Sequence, residues 1–232
     1  MVLVRPEVDA LPAAPSYVSA KVSTEVRDYI QHLIMTGRLG AGDRLRVEHL
    51  AAHLKVSVTP VREALVELFA DGFVERRPRR GYVVAKLTQS GFEDRILVLA
   101  MVAGELAARA AAKITAPQLA RIRELQVELS EADRVDDRIE SERAAHHVHR
   151  LVNVVADSPE LAWSAARYAR YVPRYIGLEW TSRPKTCTYD HDAVISALAG
   201  GDGPAARDAM FAHLMDSTKM LSEELAKSGL WE

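Results

Sequence analysis

Apolar residues recur every three or four positions along most of this chain, which is the spacing of amphipathic helices. The first such run covers residues 20–37, and Gly37 is predicted to end the helix. The segment RLGAGDRL that follows is predicted to be a loop. Two short helices are then expected at about 47–54 and 58–71, with a tight turn around Val56 between them.

Residues 73–84 break this helical pattern. Phe73 and Val74 precede a turn that runs from Pro78 to Gly81, and a second apolar run begins at Tyr82. Such an arrangement is typical of two antiparallel strands joined by a turn. A helix, two short helices and a hairpin, in this order, predict a winged helix-turn-helix with a small β-hairpin wing.

After Thr88 the chain shows helical spacing only. Breaks that contain proline or glycine separate the helices, which are predicted at about 89–113, 116–132, 136–156, 158–179, 185–200 and 203–228. The predicted fold is therefore mainly α, with the winged helix-turn-helix in front of an all-α helical bundle. We expect a flexible N-terminal arm at 1–18, a winged-helix domain at 19–87 and a helical domain at 88–232.

Pro60 interrupts a stretch that would otherwise be predicted as one helix through residues 49–65. Proline is tolerated in the first turn of a helix, where its missing N–H would have no partner. A new helix is therefore predicted to begin near Ser57 or Thr59, two residue types that favour helix starts. Its polar N-terminal residues would face outward, as they do in a recognition helix that enters the major groove of DNA.

The charge of the chain is divided unevenly, although the formal net charge is only −2. Residues 1–87 hold 13 basic and 10 acidic side chains, and the remainder holds 17 and 22. Four arginines surround the predicted wing turn, where they are suited to the DNA backbone or the minor groove. The alternative is a solvated arginine face with Arg62 paired to a glutamate. The position of the arginines directly after a helix-turn-helix favours DNA binding.

Cys187 is the single cysteine, which excludes an intrachain disulfide and fits a reducing cytoplasm. No apolar run has the length of a membrane span. The first twenty residues lack the basic and apolar regions of a signal peptide. We therefore expect a cytoplasmic protein that has no membrane partner.

The string LAAHLKVSVTPVREALVELFADGFVERRPRRGYVV resembles the DNA-binding domain of the GntR family of bacterial transcription factors. The shared features are TPVREAL and GFVERRPRRGYVV, and the resemblance covers about residues 20–86. In that family, two such domains of a homodimer bind a short palindromic operator in double-stranded DNA. By resemblance, the residues that contact DNA are Arg46, Ser57, Thr59, Pro60, Arg62, Arg76, Arg77, Arg79, Arg80 and Gly81.

Two positions depart from the pattern of the family. Val58 stands where an arginine usually follows the serine of the turn, and Glu48 stands where one branch has a base-reading arginine. The loss of a bidentate arginine–guanine contact removes roughly 1–3 kcal/mol of base discrimination. The operator sequence is therefore expected to differ from those of relatives.

Residues 89–228 resemble the all-helical FCD effector domain of FadR-type GntR regulators, in its shorter VanR-like branch. The strings HRLVNVVADSPEL and HDAVISALAGGDGPAARDAMFAHL carry this resemblance. Many members hold a divalent metal with one aspartate and three histidines, and the histidines map to His149, His191 and His213. The aspartate maps to Ala145, which cannot ligate a metal, and His146 is the candidate replacement one turn before His149.

Three neutral imidazoles still suit zinc or nickel, with water or an effector carboxylate completing the coordination shell. The alternative is that the three histidines are ordinary surface or core residues. Metal binding is therefore an expectation that depends on whether the fold brings these side chains together.

The expected effector pocket also departs from the family. An arginine that many relatives carry in the first helix of this domain maps to Ala100, and a common glutamate maps to Gly104. Arg95 is a weak replacement, and the stretch ILVLAMVAGEL beside it is apolar. A more apolar pocket favours a fatty acid or another carboxylate of low polarity. The residues expected in this pocket are Arg95, Met101, His146, Tyr171 and Tyr175.

The sequence therefore predicts a ligand-responsive transcriptional regulator, a repressor and not an enzyme. One alternative is a metal-dependent enzyme in which three histidines and an open position activate water. No carboxylate base is evident beside these histidines, which argues against it. A second alternative is a DNA-binding protein without an effector, against which the acidic, histidine-bearing helical half argues.

Overall fold

The computed structural model describes residues 22–172, 191–227 and 230–231. These residues form nine helices and three short strands, divided between two compact units. The first, here called the winged-helix unit, contains the chain up to Thr88 and the residues from Leu225 onward. The second, the helical unit, contains Gln89–Glu224. The predicted fold class is confirmed, whereas the expected arm at 1–18 lies outside the described residues.

The winged-helix unit contains, in chain order, α1(Val22–Met35), β1(Arg44–Leu45), α2(Val47–Leu54), α3(Val58–Ala70), β2(Val74–Arg77) and β3(Gly81–Val84). α3 packs against α1 and also contacts α2 and β2. Its apolar face is fully buried at Val61, Leu65 and Leu68, opposite equally buried residues of α1 such as Ile30 and Leu33. Because one face of α3 is held in this core, the opposite face is exposed to solvent.

The three strands form an antiparallel sheet in the order β1-β3-β2. Val74 of β2 lies opposite Val84 of β3, and Arg44 of β1 lies opposite Val83. The predicted hairpin is present, but the assignment of RLGAGDRL entirely to a loop was wrong because its last two residues form β1. A two-residue strand is too short to show alternation, and only its pairing with β3 defines it.

The helical unit consists of α4(Gln89–Ala111), α5(Ala116–Arg134), α6(Arg138–Ala156), α7(Pro159–Ala169), α8(Asp192–Ala199) and α9(Gly203–Lys227). α4 packs against α6, α7 and α8, while α5 packs against α6 and α8. The last turn of α9 extends beyond the helical unit as defined above. No described helix combines the length and the hydrophobicity needed to cross a membrane.

Two predicted helices are shorter than expected. The helix predicted at 158–179 ends at Ala169, and the N–H groups of Tyr171 and Val172 donate to carbonyls three residues earlier. Pro173 follows, and a proline disfavours helical geometry at the residue before it. The helix predicted at 185–200 begins at Asp192, with His191 as its N-cap residue, and residues 173–190 lie outside the described part of the chain.

Candidate nucleic-acid interface and metal centre

The turn between α2 and α3 is closed by backbone hydrogen bonds. Lys55 has a left-handed conformation with φ of 54°, and the N–H groups of Lys55 and Val56 donate to the carbonyls of Ala52 and Ala51. This pattern ends a helix while its last carbonyl groups keep partners. Ser57 then occupies the N-cap of α3, so the predicted start of the second helix is confirmed.

The first turn of α3 presents polar side chains to solvent. Pro60 is the third residue of the helix, where the missing N–H costs no intrahelical hydrogen bond. Ser57 and Thr59 are exposed, and the Ser57 hydroxyl does not cap the helix. Arg62 is also exposed and forms no ion pair within the described residues. These groups lie at the helix end where backbone N–H groups carry partial positive charge, which attracts phosphate.

Apolar side chains share the exposed face of α3. Val58 is 38% exposed and is the first residue of the helix, while Val66 and Phe69 are exposed further along it. At the start of α2, Arg46 is the N-cap residue, and both Arg46 and Glu48 are exposed. The positions that depart from the family pattern therefore lie on the surface, beside the predicted DNA contacts.

The wing consists of β2, β3 and the turn between them. Arg79, in that turn, and Gly81, at the start of β3, have positive φ angles of 61° and 72°, and the Arg80 N–H donates to the carbonyl of Arg77. The four wing arginines are exposed, but two of them already have intramolecular partners. Arg76 lies over the Tyr82 ring at 5.5 Å, and Arg77 forms an ion pair with Glu75 at 2.9 Å.

Arg44 was not among the predicted site residues, yet it contacts the wing directly. Its Nε donates a hydrogen bond of 2.9 Å to the backbone carbonyl of Arg80. The contact joins β1 to the wing turn across 36 residues of sequence. No local pattern in the sequence indicates this contact, because β1 has only two residues and is defined by its pairing with β3.

In the helical unit, His149, His191 and His213 lie close together although they come from different parts of the chain. One nitrogen of each imidazole lies within 4.8 Å of a nitrogen of the others. The Nε2 atoms of His149 and His191 are 3.3 Å apart. A tetrahedral zinc ion bound to nitrogen at 2.0–2.1 Å requires ligand atoms about 3.3–3.4 Å apart. The residues therefore fit a divalent metal ion of the kind that imidazole prefers.

The protonation of this cluster also suits coordination. Desolvation, together with the nearby His213 and His146, lowers the pKa of His149 to about 3. Its imidazole is therefore neutral near pH 7 and keeps a lone pair for a metal. His191 is fully buried, and its Nδ1 lies 2.8 Å from the amide oxygen of Gln126 on α5.

Ala145 and His146, the two positions considered for a fourth ligand, lie in different surroundings. Ala145 is 4% exposed and belongs to an apolar cluster with Leu129 and Ala144. His146 is exposed, and among the described residues the group of converging ligand atoms contains the three histidines without it. This three-histidine cluster, here called the histidine triad, includes no carboxylate.

The residues predicted for an effector pocket differ in burial, and one of them lies outside the described residues. The Arg95 guanidinium lies over the ring of Tyr171 at 4.3 Å, and Tyr171 is buried just beyond the end of α7. Met101 is 60% exposed, and Tyr175 lies outside the described residues. Within the apolar stretch at 96–106, Ile96, Leu99 and Leu106 are buried and supply packing, whereas Leu97 and Val98 are exposed like Met101.

Two domain families match this chain. Residues 22–84 match the family described as "Bacterial regulatory proteins, gntR family", and residues 95–216 match the FCD domain. The chain is 25% identical over 216 residues to the HTH-type transcriptional repressor RspR of Escherichia coli strain K12, covering 90% of this chain and 93% of the relative. It is 30% identical over 196 residues to a probable D-xylose utilization operon transcriptional repressor of Paenarthrobacter nicotinovorans, covering 83% and 85%.

Solved structures share this fold. The structure of Escherichia coli McbR/YncC superimposes with a TM-score of 0.67 at 19% identity, covering 88% of this chain and 98% of that one. A putative transcriptional regulator from Rhodococcus sp. RHA1 superimposes with a TM-score of 0.54 at 24% identity, covering 86% and 96%. At this level of identity the likeness concerns the fold alone.

Proposed function

This chain belongs to the GntR family of bacterial regulatory proteins and carries an FCD domain behind its DNA-binding domain, and from this premise we propose that it is a repressor. It is a transcriptional regulator whose FCD domain responds to a ligand. In our proposal it binds a short palindromic operator as a homodimer in the cytoplasm. Two relatives are named as repressors, one of them as a probable repressor, and these names support repression over activation.

The observation that carries the proposal is the exposed start of α3 in the same unit as a basic wing. Ser57, Thr59 and Arg62 are available at the N-terminal turn of α3, where short polar groups reach phosphates and base edges. Arg79 and Arg80 extend from the wing turn, and such groups lie along the backbone or in the minor groove. In a dimer, two copies of this surface select half-sites about one helical turn apart.

We assign the histidine triad to zinc or nickel. A bound divalent ion would supply a Lewis-acidic centre with an open coordination position. The histidines contribute no negative charge, so the triad favours an anionic effector group such as a carboxylate. Arg95 and Tyr171 form a second candidate contact for the effector.

Effector binding in the helical unit acts by favouring one orientation of the DNA-binding domains over another. The ligand need not touch DNA; it has to bind one arrangement more tightly. A coupling free energy of about 1–3 kcal/mol changes operator affinity roughly 5–150-fold. We propose that the segment from Lys86 to Gln89, which joins the two units, absorbs this change.

The competing function is a metal-dependent hydrolase. It requires a general base near the metal-bound water, and the described histidine triad contains no carboxylate to take that role. We therefore propose a sensor and not an enzyme. Turnover of generic ester or phosphate substrates by the zinc-loaded protein would contradict this assignment.

The decisive experiment is footprinting of the protein on the DNA upstream of its own gene, with and without zinc and candidate ligands. We expect two protected half-sites, with protection that changes when the effector is added. The proposal is wrong if the protein shows no preference for any promoter fragment over random duplex at moderate salt under every condition.

Calorimetric titration of the zinc-loaded protein identifies the effector class. The ligands are a C4–C6 dicarboxylate series, a long-chain fatty acid series and D-xylose, the last because of the name of one relative. The apolar stretch at 96–106 of the sequence predicts that the long-chain acid binds. Tight binding of the small dicarboxylates alone would contradict that expectation. Tight binding of D-xylose alone would contradict the proposal that the effector is a carboxylate.

A further inference from the structure

We propose that Gln126 is a positioning residue of the histidine triad, which fixes the nitrogen that His191 offers to a metal. This inference rests on the metal centre proposed above. The amide oxygen of Gln126 lies 2.8 Å from Nδ1 of His191, across 65 residues of sequence. Gln126 itself is half-buried on α5, a helix that carries none of the three histidines.

The location of His191 explains why such a residue is needed. His191 is the N-cap residue of α8, with φ of −106° and ψ of 11°, and its side chain does not cap the helix. Its ring is fully buried, so contacts from other helices set its orientation. One of these contacts comes from Gln126 on α5, and another from His149 on α6, whose Nε2 lies 3.3 Å from Nε2 of His191.

The chemistry of the contact selects one tautomer. A neutral imidazole has one N–H donor and one acceptor nitrogen, and an amide oxygen can only accept. Nδ1 of His191 therefore carries the proton and donates a hydrogen bond to the amide oxygen of Gln126. This leaves the Nε2 lone pair facing His149, at the spacing that a tetrahedral ion requires.

Gln126 also keeps the triad free of negative charge. Metal-ligating histidines usually donate their second N–H to a carboxylate, a carbonyl or a water, and loss of that partner typically costs 10–100-fold in metal affinity. A glutamine orients the ring as a carboxylate would, but adds no charge. With Ala145 at the expected aspartate position, a bound ion would lose no charge to a ligand at that position and would attract an anionic ligand more strongly.

Zinc affinity of three variants tests the proposal, measured by competition with a chromogenic chelator at pH 7.5. Gln126→Leu removes the acceptor and is expected to weaken zinc binding 10–100-fold. Gln126→Glu keeps an acceptor oxygen and is expected to bind zinc at least as tightly as the unaltered protein. Gln118→Leu makes the same chemical change at another glutamine of α5, whose amide oxygen accepts from the Thr115 N–H, and is expected to shift affinity less than threefold.

The tautomer of His191 is a second measurement that needs no metal. In nitrogen-15 correlation spectra of the metal-free protein, His191 is expected as the Nδ1–H tautomer, and this preference is expected to weaken in Gln126→Leu. An Nε2–H tautomer in the unaltered protein would overturn the proposal, even where the leucine variant fails to fold.

The outcomes separate this inference from the proposed function. Equal zinc affinity in the unaltered protein and in Gln126→Leu would overturn the positioning role and leave the metal centre intact. A complete lack of saturable zinc or nickel binding in the unaltered protein would overturn the metal centre, and the positioning role with it.

Discussion

Exposed arginines on the winged-helix unit differ in how firmly the protein already holds them. Arg77 is paired with Glu75, and Arg76 stacks over Tyr82. Arg62 and Arg79 have no ion-pair partner among the described residues. Exposed ion pairs contribute only about 0–1 kcal/mol, so Arg77 can exchange Glu75 for a phosphate at small cost. In the proposed complex, Arg62 and Arg79 would bind DNA without losing any such contact.

Arg62→Ala is expected to lower operator affinity about 5–150-fold, because the loss of one good base contact costs roughly 1–3 kcal/mol. Fluorescence anisotropy with the footprinted operator at fixed salt measures the change. Arg123→Ala removes an exposed arginine of α5 in the helical unit and serves as the matched control. Equal affinities of the two variants would contradict a role for Arg62 in DNA binding.

Arg79→Ala is expected to act differently, because a wing arginine that contacts the DNA backbone binds phosphate whatever the base sequence. Its loss would weaken binding to operator and random duplex alike and reduce the slope of log affinity against log salt by about 1. Affinities at four salt concentrations provide this slope. An unchanged slope, with a loss of affinity confined to operator DNA, would instead indicate that Arg79 contacts a base.

Among the helices, α4 and α9 approach each other closely at Gly104. A Cβ atom built on Gly104 would lie 3.0 Å from the backbone oxygen of Arg207 and 3.2 Å from its Cγ. A larger side chain at this position, such as the glutamate expected from the family resemblance, would require Arg207 to shift. The neighbouring Glu105 instead reaches outward and forms ion pairs with Arg109 of its own helix and with Arg207 of α9.

Gly104→Ala is therefore expected to destabilise the helical unit by about 1–3 kcal/mol, the usual cost of overpacking a tight contact. Gly200→Ala is the matched control, since its added Cβ would meet its nearest atoms at 3.6 and 3.7 Å, an ordinary contact distance. Urea unfolding followed by circular dichroism measures both. If Gly104→Ala is no less stable than Gly200→Ala, the two helices are less tightly packed than described.

At the scale of the whole molecule, the histidine triad links distant parts of the chain. The histidine triad draws one ligand from α6, one from the N-cap of α8 and one from α9. An ion bound to all three stabilises only the folded arrangement. A ligand at 100 times its dissociation constant adds about 2.7 kcal/mol to the free energy of unfolding.

Zinc is therefore expected to raise the melting temperature of the protein by several degrees, and His213→Ala is expected to abolish this increase. His147→Ala removes a half-buried histidine of α6 that lies outside the triad, and is expected to retain it. Differential scanning fluorimetry with zinc and with a chelator measures both. The same increase in all three proteins would show that zinc acts elsewhere.

Local patterns in the sequence predicted most of the helices and the start of α3. Helix spacing depends on neighbours three or four residues apart, so α2, α5 and α9 appear within two residues of their predicted bounds. Pro60 and Ser57 located the start of α3 because proline and helix-capping residues act within a single turn. The three histidines were identified by the family resemblance, which gives their positions in the sequence but not the distances between them.

Only the tertiary structure could decide the features that depend on distant partners. β1 exists because it pairs with β3, and Arg44 meets the wing turn across 36 residues. Gln126 meets His191 across 65 residues, and Gly104 lies where α9 approaches closely. Such contacts leave no periodic trace in the sequence, because they arise from the packing of separate elements and not from the conformational preferences of one. The local sequence therefore determined where the helices and the hairpin form, and tertiary packing determined β1 and which side chains meet.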